Sequence, residues 1–234
     1  MKLLTIKAVI FDLDGTIATF NLDYKTVRAE VRSYLMKMGV PASVVTVNEN
    51  MFEMLKKMEL FMSNAGKTEA AIEKIRWEAL QIAEKYELEA ATRTSLLPGA
   101  VDALKDLQKK GVKIGLCTIN STNSTEQILK RFKLTSYFDV VITHNHVRDY
   151  KPNPEHCNMA LKSMGVFGSE TLLVGDSITD IQAAEEIKAT SVGIPSGVST
   201  QDQLIKQGAN YIATSITDLP ILIERINKAE SAKV

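Results

Sequence analysis

The sequence predicts an α/β fold: a doubly wound parallel sheet covered on both faces by helices, with a small all-helical domain inserted after the first strand. Three observations carry this prediction. Short, nearly continuous apolar runs alternate with amphipathic segments along most of the chain, the pattern of strands buried on both faces. The alternation stops between residues 19 and 95, where three long helical periods occur without a convincing strand. It resumes at Leu97-Pro98-Gly99. The expected division is therefore a core of residues 1–18 and 96–234 and a helical domain of residues 19–95.

The first strand is expected at 7–11 (KAVIF), ending on Asp12. In the inserted stretch Val27, Val31, Tyr34, Leu35 and Met38 form one apolar stripe, stopped by Gly39 and Pro41. Met51, Met54, Leu55, Met58 and Met62 form a second, and Gly66 marks a turn. Ile72, Ile75, Ala79, Ile82 and Tyr86 form the third. Flexible thioethers fill irregular gaps, so the methionine stripe reads as core. Further strands are expected at 112–117, 138–142, 171–174, 190–194 and 210–213. Helices are expected at 99–110, 122–133, 153–165, 178–188, 200–207 and 217–229. Val101, Leu104 and Leu107 are assigned to the buried face of the first of these, and Ile181, Ala184 and Ile187 to that of the fourth.

Composition narrows the function. The 234 residues carry 28 Lys+Arg against 28 Asp+Glu, which gives no electrostatic reason to expect a nucleic-acid or anionic-membrane partner. No apolar run approaches the roughly 20 residues needed to cross a bilayer. The opening MKLLTIKAVIFD lacks the small-residue cleavage site of a secretory signal. Only Cys117 and Cys157 are present, so no disulfide framework is expected and a cytoplasmic setting is.

In open parallel sheets ligands bind beyond the carboxyl ends of the strands. There the chain places Asp12-Leu13-Asp14-Gly15-Thr16, then Thr118, then Lys151-Pro152-Asn153-Pro154, then Gly175-Asp176 with Asp180. Oxygen-only carboxylate clusters suit a hard cation such as Mg²⁺, and no Cys or His stands beside them to favour Zn²⁺. A carboxylate can act as a nucleophile on phosphorus. A second, two residues on, can protonate the leaving oxygen and later deprotonate water. Gly15 allows the tight turn that brings backbone amides near phosphate. Lys151 and Thr118 would neutralise and orient phosphoryl oxygens.

In order and spacing, these four segments resemble the motifs of the haloacid dehalogenase (HAD) superfamily, over about residues 8–195. The helical insert after the first motif resembles the cap of its phosphoglycolate-phosphatase-like subgroup. The resemblance implies a Rossmann-like core and a cap that closes over substrate. It makes Asp12 the nucleophile and Asp14 the general acid/base. It gives Mg²⁺ to Asp12, the Asp14 backbone carbonyl and Asp176, with Asp180 ligating directly or through water or Lys151. Phosphate binding falls to Gly15, Thr16, Thr118, Ile119 and Lys151. The implied substrate is a small phosphorylated metabolite, and the implied assembly a monomer or homodimer.

Asp14 argues against the dehalogenases, which lack the second Asp, and against the phosphonatases, which carry Ala there. The β-phosphoglucomutases keep both, though they often have Val where this chain has Thr16. A non-catalytic module on the same scaffold would usually have lost Asp12 or Asp14. Two departures fall on the substrate side: Ile17-Ala18-Thr19-Phe20 replaces an Asp-Ser pair, and Ile119 intervenes between Thr118 and Asn120. His144 and His146 lack a third ligand and read as a polar loop. Cys117 reads as packing, and Arg28, Arg32, Lys67, Arg76 and Arg93 mostly as a solvated face.

Overall fold

A computed structural model of the chain describes residues 5–19 and 21–231, so Phe20 lies outside the described residues. Strand β1 (Ala8–Phe11) precedes three helices, α1 (Tyr24–Lys37), α2 (Met51–Asn64) and α3 (Glu69–Arg93). Then follow α4 (Ala100–Lys109), β2 (Lys113–Cys117), α5 (Thr122–Arg131), β3 (Val140–Ile142), α6 (Pro154–Met164), β4 (Thr171–Gly175), α7 (Ile178–Glu186), β5 (Thr190–Gly193), α8 (Gln201–Gln207), β6 (Tyr211–Ile212) and α9 (Leu219–Ser231). No described helix is long and apolar enough to cross a membrane.

The strands form one parallel sheet in the order β3-β2-β1-β4-β5-β6. The chain winds outward from β1 to β3, then returns to the other side of β1 and winds outward again. The reversal makes the carboxyl ends of β1 and β4 the topological switch point, where such sheets bind ligands. Phe11 lies opposite Leu116 on one side and Val174 on the other. The residues that leave the sheet next therefore emerge side by side. Every residue of β1 and β4 is buried, which is why both read as unbroken apolar runs rather than as alternation.

The chain divides into two compact units, Met1–Phe20 with Thr94–Val234, and Asn21–Arg93. The divisions lie two residues inside the span 19–95, because the chain segments flanking the insert pair with each other. The Thr19 N–H donates to the Ser95 carbonyl at 2.7 Å, the Ser95 N–H to Thr19 Oγ1 at 3.0 Å, and the Leu97 N–H to the Ile17 carbonyl at 2.9 Å.

Within the helical unit, Asp23 caps α1 by accepting from the Lys25 and Thr26 amides. Asn50 and Glu53 form a reciprocal capping box on α2. Val27, Val31, Leu35, Met54, Leu55, Met58 and Met62 form the centre of its core. Ile75, Ile82 and Tyr86 are only partly buried against it. Two assignments change. Met38 is 40% exposed, since α1 ends before it and it serves as the C-cap. Arg76 belongs to no solvated face: it is buried and paired with Glu59.

In the sheet-bearing unit α4 buries Ala100, Ala103, Leu104 and Leu107, the i, i+3, i+4, i+7 set. Val101 is rotated off that stripe and stays exposed. Cys117 and Cys157 are buried free thiols. His144 does not sit in a solvated loop. It is buried in a 3₁₀ turn, edge-on to Tyr150 at 6.2 Å between ring centroids.

Gly15 adopts φ +78°, and a Cβ there would lie 2.6 Å from the Asp176 carboxyl carbon. Gly15→Ala is expected to lower stability by about 1–3 kcal/mol in denaturant unfolding, from left-handed strain plus displacement of Asp176. His156 is fully buried, with Nε2 3.2 Å from the Ile142 carbonyl oxygen. Burial, then the Lys151 charge, pushes its pKa down to about 3. The unfolded chain therefore takes up a proton near pH 6.5 that the folded chain refuses. Each pH unit below that costs about 1.4 kcal/mol until the folded value is reached. Stability curves of His156→Gln and wild type are expected to converge as pH falls from 6.5 to 4, because the wild type alone loses the stability linked to its neutral imidazole. Parallel curves would exclude the buried neutral imidazole.

Candidate active site

The sheet register brings the strand-end residues together. Asp12 follows β1 and is fixed by its N–H to the Val174 carbonyl at 2.9 Å. Thr118 follows β2, with its N–H on the Ile142 carbonyl at 3.0 Å. Asp176 follows β4, and Asp180 lies in the first turn of α7, where Ser177 is the N-cap. Lys151 stands just ahead of α6, whose start is set by the Asn153 cap and Pro154 at its first position.

The Lys151 ammonium donates to Asp12 Oδ1 at 2.6 Å and to Asp180 Oδ1 at 2.6 Å. Both ion pairs are nearly dry, the lysine side chain being 4% exposed. The other oxygen of Asp180 accepts from the Ser177 N–H at 3.1 Å and from the Ser177 hydroxyl. Asp180 thus closes a helix capping box and holds Lys151 with the same carboxylate. Its link to Asp12 runs through Lys151.

Oxygen atoms of Asp12, Asp176 and Asp180 lie within 4.8 Å of one another, all three residues buried. Three buried carboxylates face one ammonium, and the imbalance shows in their acidities. Burial raises Asp12 well above the usual carboxylate range; Lys151 opposes this, and Asp180 and Asp176 add to it. Burial pushes Asp176 up to about 6, against the Val198 N–H bond to its carboxylate. Burial pulls the Lys151 ammonium down, but Asp12 and Asp180 more than reverse that and hold it charged. An all-oxygen site with surplus buried negative charge fits a hard divalent cation.

Asp14 is half-buried and accepts from the Asn120 side-chain amide. Thr118 is buried, and its hydroxyl oxygen accepts from the Asn120 N–H at 3.2 Å, which leaves the hydroxyl proton to donate elsewhere. Gly15 spends its amide within the turn, on the Ala18 carbonyl at 2.7 Å, and the Thr16 amide lies 3.3 Å from the Leu13 carbonyl. The Thr16 hydroxyl is buried with no hydrogen-bond partner among the described residues. Ile119 joins Thr118 to Asn120 at the end of β2. His146 pairs its Nδ1 with Thr143, and among the described residues neither it nor His144 joins a metal-ligand cluster.

Sequence reasoning missed three members of the site. Asn120 was read as a displaced residue, yet it reaches Asp14. Ser177 was unassigned, although Ser-x-x-Asp at 177–180 is a capping-box pattern visible in the sequence. The Val198 N–H, which binds Asp176 at 2.5 Å, has no side-chain signature to find.

A family profile described as haloacid dehalogenase-like hydrolase matches residues 9–194. A phosphoglycolate phosphatase of Shigella dysenteriae serotype 1 is 30% identical over 232 residues, covering 92% of this chain and 91% of that protein. The pyrophosphatase PpaX of Bacillus mycoides is 27% identical over 228 residues, covering 95% and 99%. Among solved structures, a β-phosphoglucomutase from Clostridium difficile shares the fold at a TM-score of 0.67 and 22% identity, covering 97% of this chain and all of that one. The motif order, the switch-point geometry and these matches agree: the chain is an enzyme of the haloacid dehalogenase-like hydrolase family, similar in sequence to its phosphoglycolate phosphatases.

Proposed function

We propose that this enzyme is a Mg²⁺-dependent phosphatase that hydrolyses a small phosphate monoester, phosphoglycolate or a sugar phosphate, through an aspartyl-phosphate on Asp12. The observation that carries the proposal is the position of Asp12: at the switch point, paired with Lys151 and within reach of two further buried carboxylates. The phosphoglycolate phosphatase relative supports the substrate class. The pyrophosphatase relative makes inorganic pyrophosphate the next substrate to try. The β-phosphoglucomutase likeness is one of fold. Free buried thiols accord with a reducing cytoplasm.

In the proposed reaction the Asp12 carboxylate attacks phosphorus and the bond to the leaving oxygen breaks. Asp14, oriented by Asn120, gives its proton to that oxygen. A water then attacks the aspartyl-phosphate, its proton passes to Asp14, and phosphate leaves with Asp12 restored. Lys151 and the Thr118 hydroxyl face the phosphoryl oxygens, where charge spreads in the transition state. Asp12, the Asp14 carbonyl and Asp176 would hold Mg²⁺, which when bound neutralises phosphoryl charge.

Purified protein with Mg²⁺ is expected to release phosphate from at least one member of a panel of phosphoglycolate, sugar phosphates, nucleotides and pyrophosphate. Asp12→Asn keeps the shape but loses the nucleophile, and is expected to cost at least ~10³-fold in kcat. Undiminished turnover in that variant would reject the mechanism. Isomerisation of a sugar 1-phosphate without phosphate release would instead identify a mutase. Asp14→Asn is expected to slow alkyl phosphates by roughly 10²–10⁴-fold. Its effect on kcat/KM for p-nitrophenyl phosphate, whose leaving group needs no proton, should be far smaller, since that ratio does not include the later water attack that also uses Asp14. Equal losses on both would remove Asp14 from the acid role.

A further inference from the structure

The loop after β5, residues 195–199, supplies no reacting group to the reaction above. Yet its backbone is wrapped around two elements of the site. The Val198 N–H donates to Asp176 Oδ2 at 2.5 Å, and the Ser199 N–H to the Asp176 carbonyl at 3.2 Å. The Ser199 hydroxyl in turn accepts from the Ile178 N–H at 3.2 Å, tying the loop to the start of α7. On the other side the Ser196 hydroxyl donates to the Gly15 carbonyl. Between these anchors stands Gly197, where a Cβ would lie 2.0 Å from Asp176 Oδ2 and 3.0 Å from Gly15 Cα. Residues 195–198 are exposed, whereas Asp176 is 2% exposed. A surface loop thus grips a buried carboxylate, with no room for a side chain at the point of closest approach.

We propose that residues 196–198 are positioning residues for the cation: the loop commits Asp176 Oδ2 to the Val198 N–H, fixes the carboxylate against the Gly15 turn, and so sets the affinity of the site for a divalent metal. The inference rests on the cation-dependent reading given above. Groups that orient metal-binding carboxylates contribute strongly to affinity because they remove the freedom of the ligand to turn away. A backbone donor does so without adding a competing charge. Ser196 acts one step further out, by holding the Gly15 turn against which Asp176 is packed.

The test is direct titration of the full chain with Mn²⁺, followed by electron paramagnetic resonance in the absence of substrate. Gly197→Ala is expected to weaken Mn²⁺ binding about 10–100-fold. Ser196→Ala, which inserts nothing and keeps the inference testable should the alanine at 197 prevent folding, is expected to weaken it roughly 3–10-fold. In both variants kcat at saturating Mg²⁺ should return to within about 3-fold of wild type, because the groups that touch substrate are unchanged. Wild-type-like Mn²⁺ affinity in the variants would overturn the positioning role alone. So would a kcat that stays collapsed in Ser196→Ala at saturating Mg²⁺. A wild-type chain that takes up no Mn²⁺ would overturn the cation-dependent reading itself, and this inference with it.

Discussion

The site is built on an electrostatic imbalance: Asp12, Asp176 and Asp180 are gathered out of water around the single ammonium of Lys151. Removing a carboxylate from water is expensive, and a buried charge persists only when it is paired and hydrogen-bonded. Lys151 pairs with two of the three. The third, Asp176, is left to the Val198 N–H, and its raised pKa records what that bond does not offset. The unfilled requirement is for positive charge at a defined point, which is what binding a cation and then a phosphoryl dianion demands. The folded state is held slightly away from its own electrostatic optimum, and the proposed cation would complete it.

The sheet makes this arrangement possible at little geometric cost. Three central strands end in register, so their next residues need no long side chains to meet. The helices that follow then supply orientation. At α7 the N-cap serine and the acid three residues on satisfy the helix terminus, while that acid also holds Lys151. Helix capping and active-site assembly are one set of hydrogen bonds here, so the secondary structure and the chemistry cannot be altered independently.

Much of this was legible in the sequence. A strand buried on both faces announces itself as an apolar run, and the polar residue that follows such a run lies at the sheet edge where ligands bind. Asp12, Asp176 and Thr118 stood out for that reason. Residues whose role depends on rotation about a helix axis were harder. Val101 is as apolar as its neighbours but lies off the buried stripe of α4, and Met38 falls one position beyond the end of α1. Arg76 looked like a surface cation because its partner, Glu59, lies on another helix. Asn120 meets Asp14 across 106 positions of sequence, and no local pattern encodes that. The grip of loop 195–199 on Asp176 was wholly silent, since amides and glycine hydrogens carry no residue-type signal.

The pairing of the chain on either side of the helical insert has an evolutionary corollary. Residues 17–19 run antiparallel to residues 95–97, with Ala18 bridged to Leu96. The two ends of the inserted unit thus leave the core as neighbouring legs of a ladder, as in a hairpin whose turn has been enlarged to a domain. Lengthening, shortening or exchanging the contents of such a turn leaves the ladder beneath it intact. The sheet can keep its register while the helical unit carried on that ladder changes in length and content.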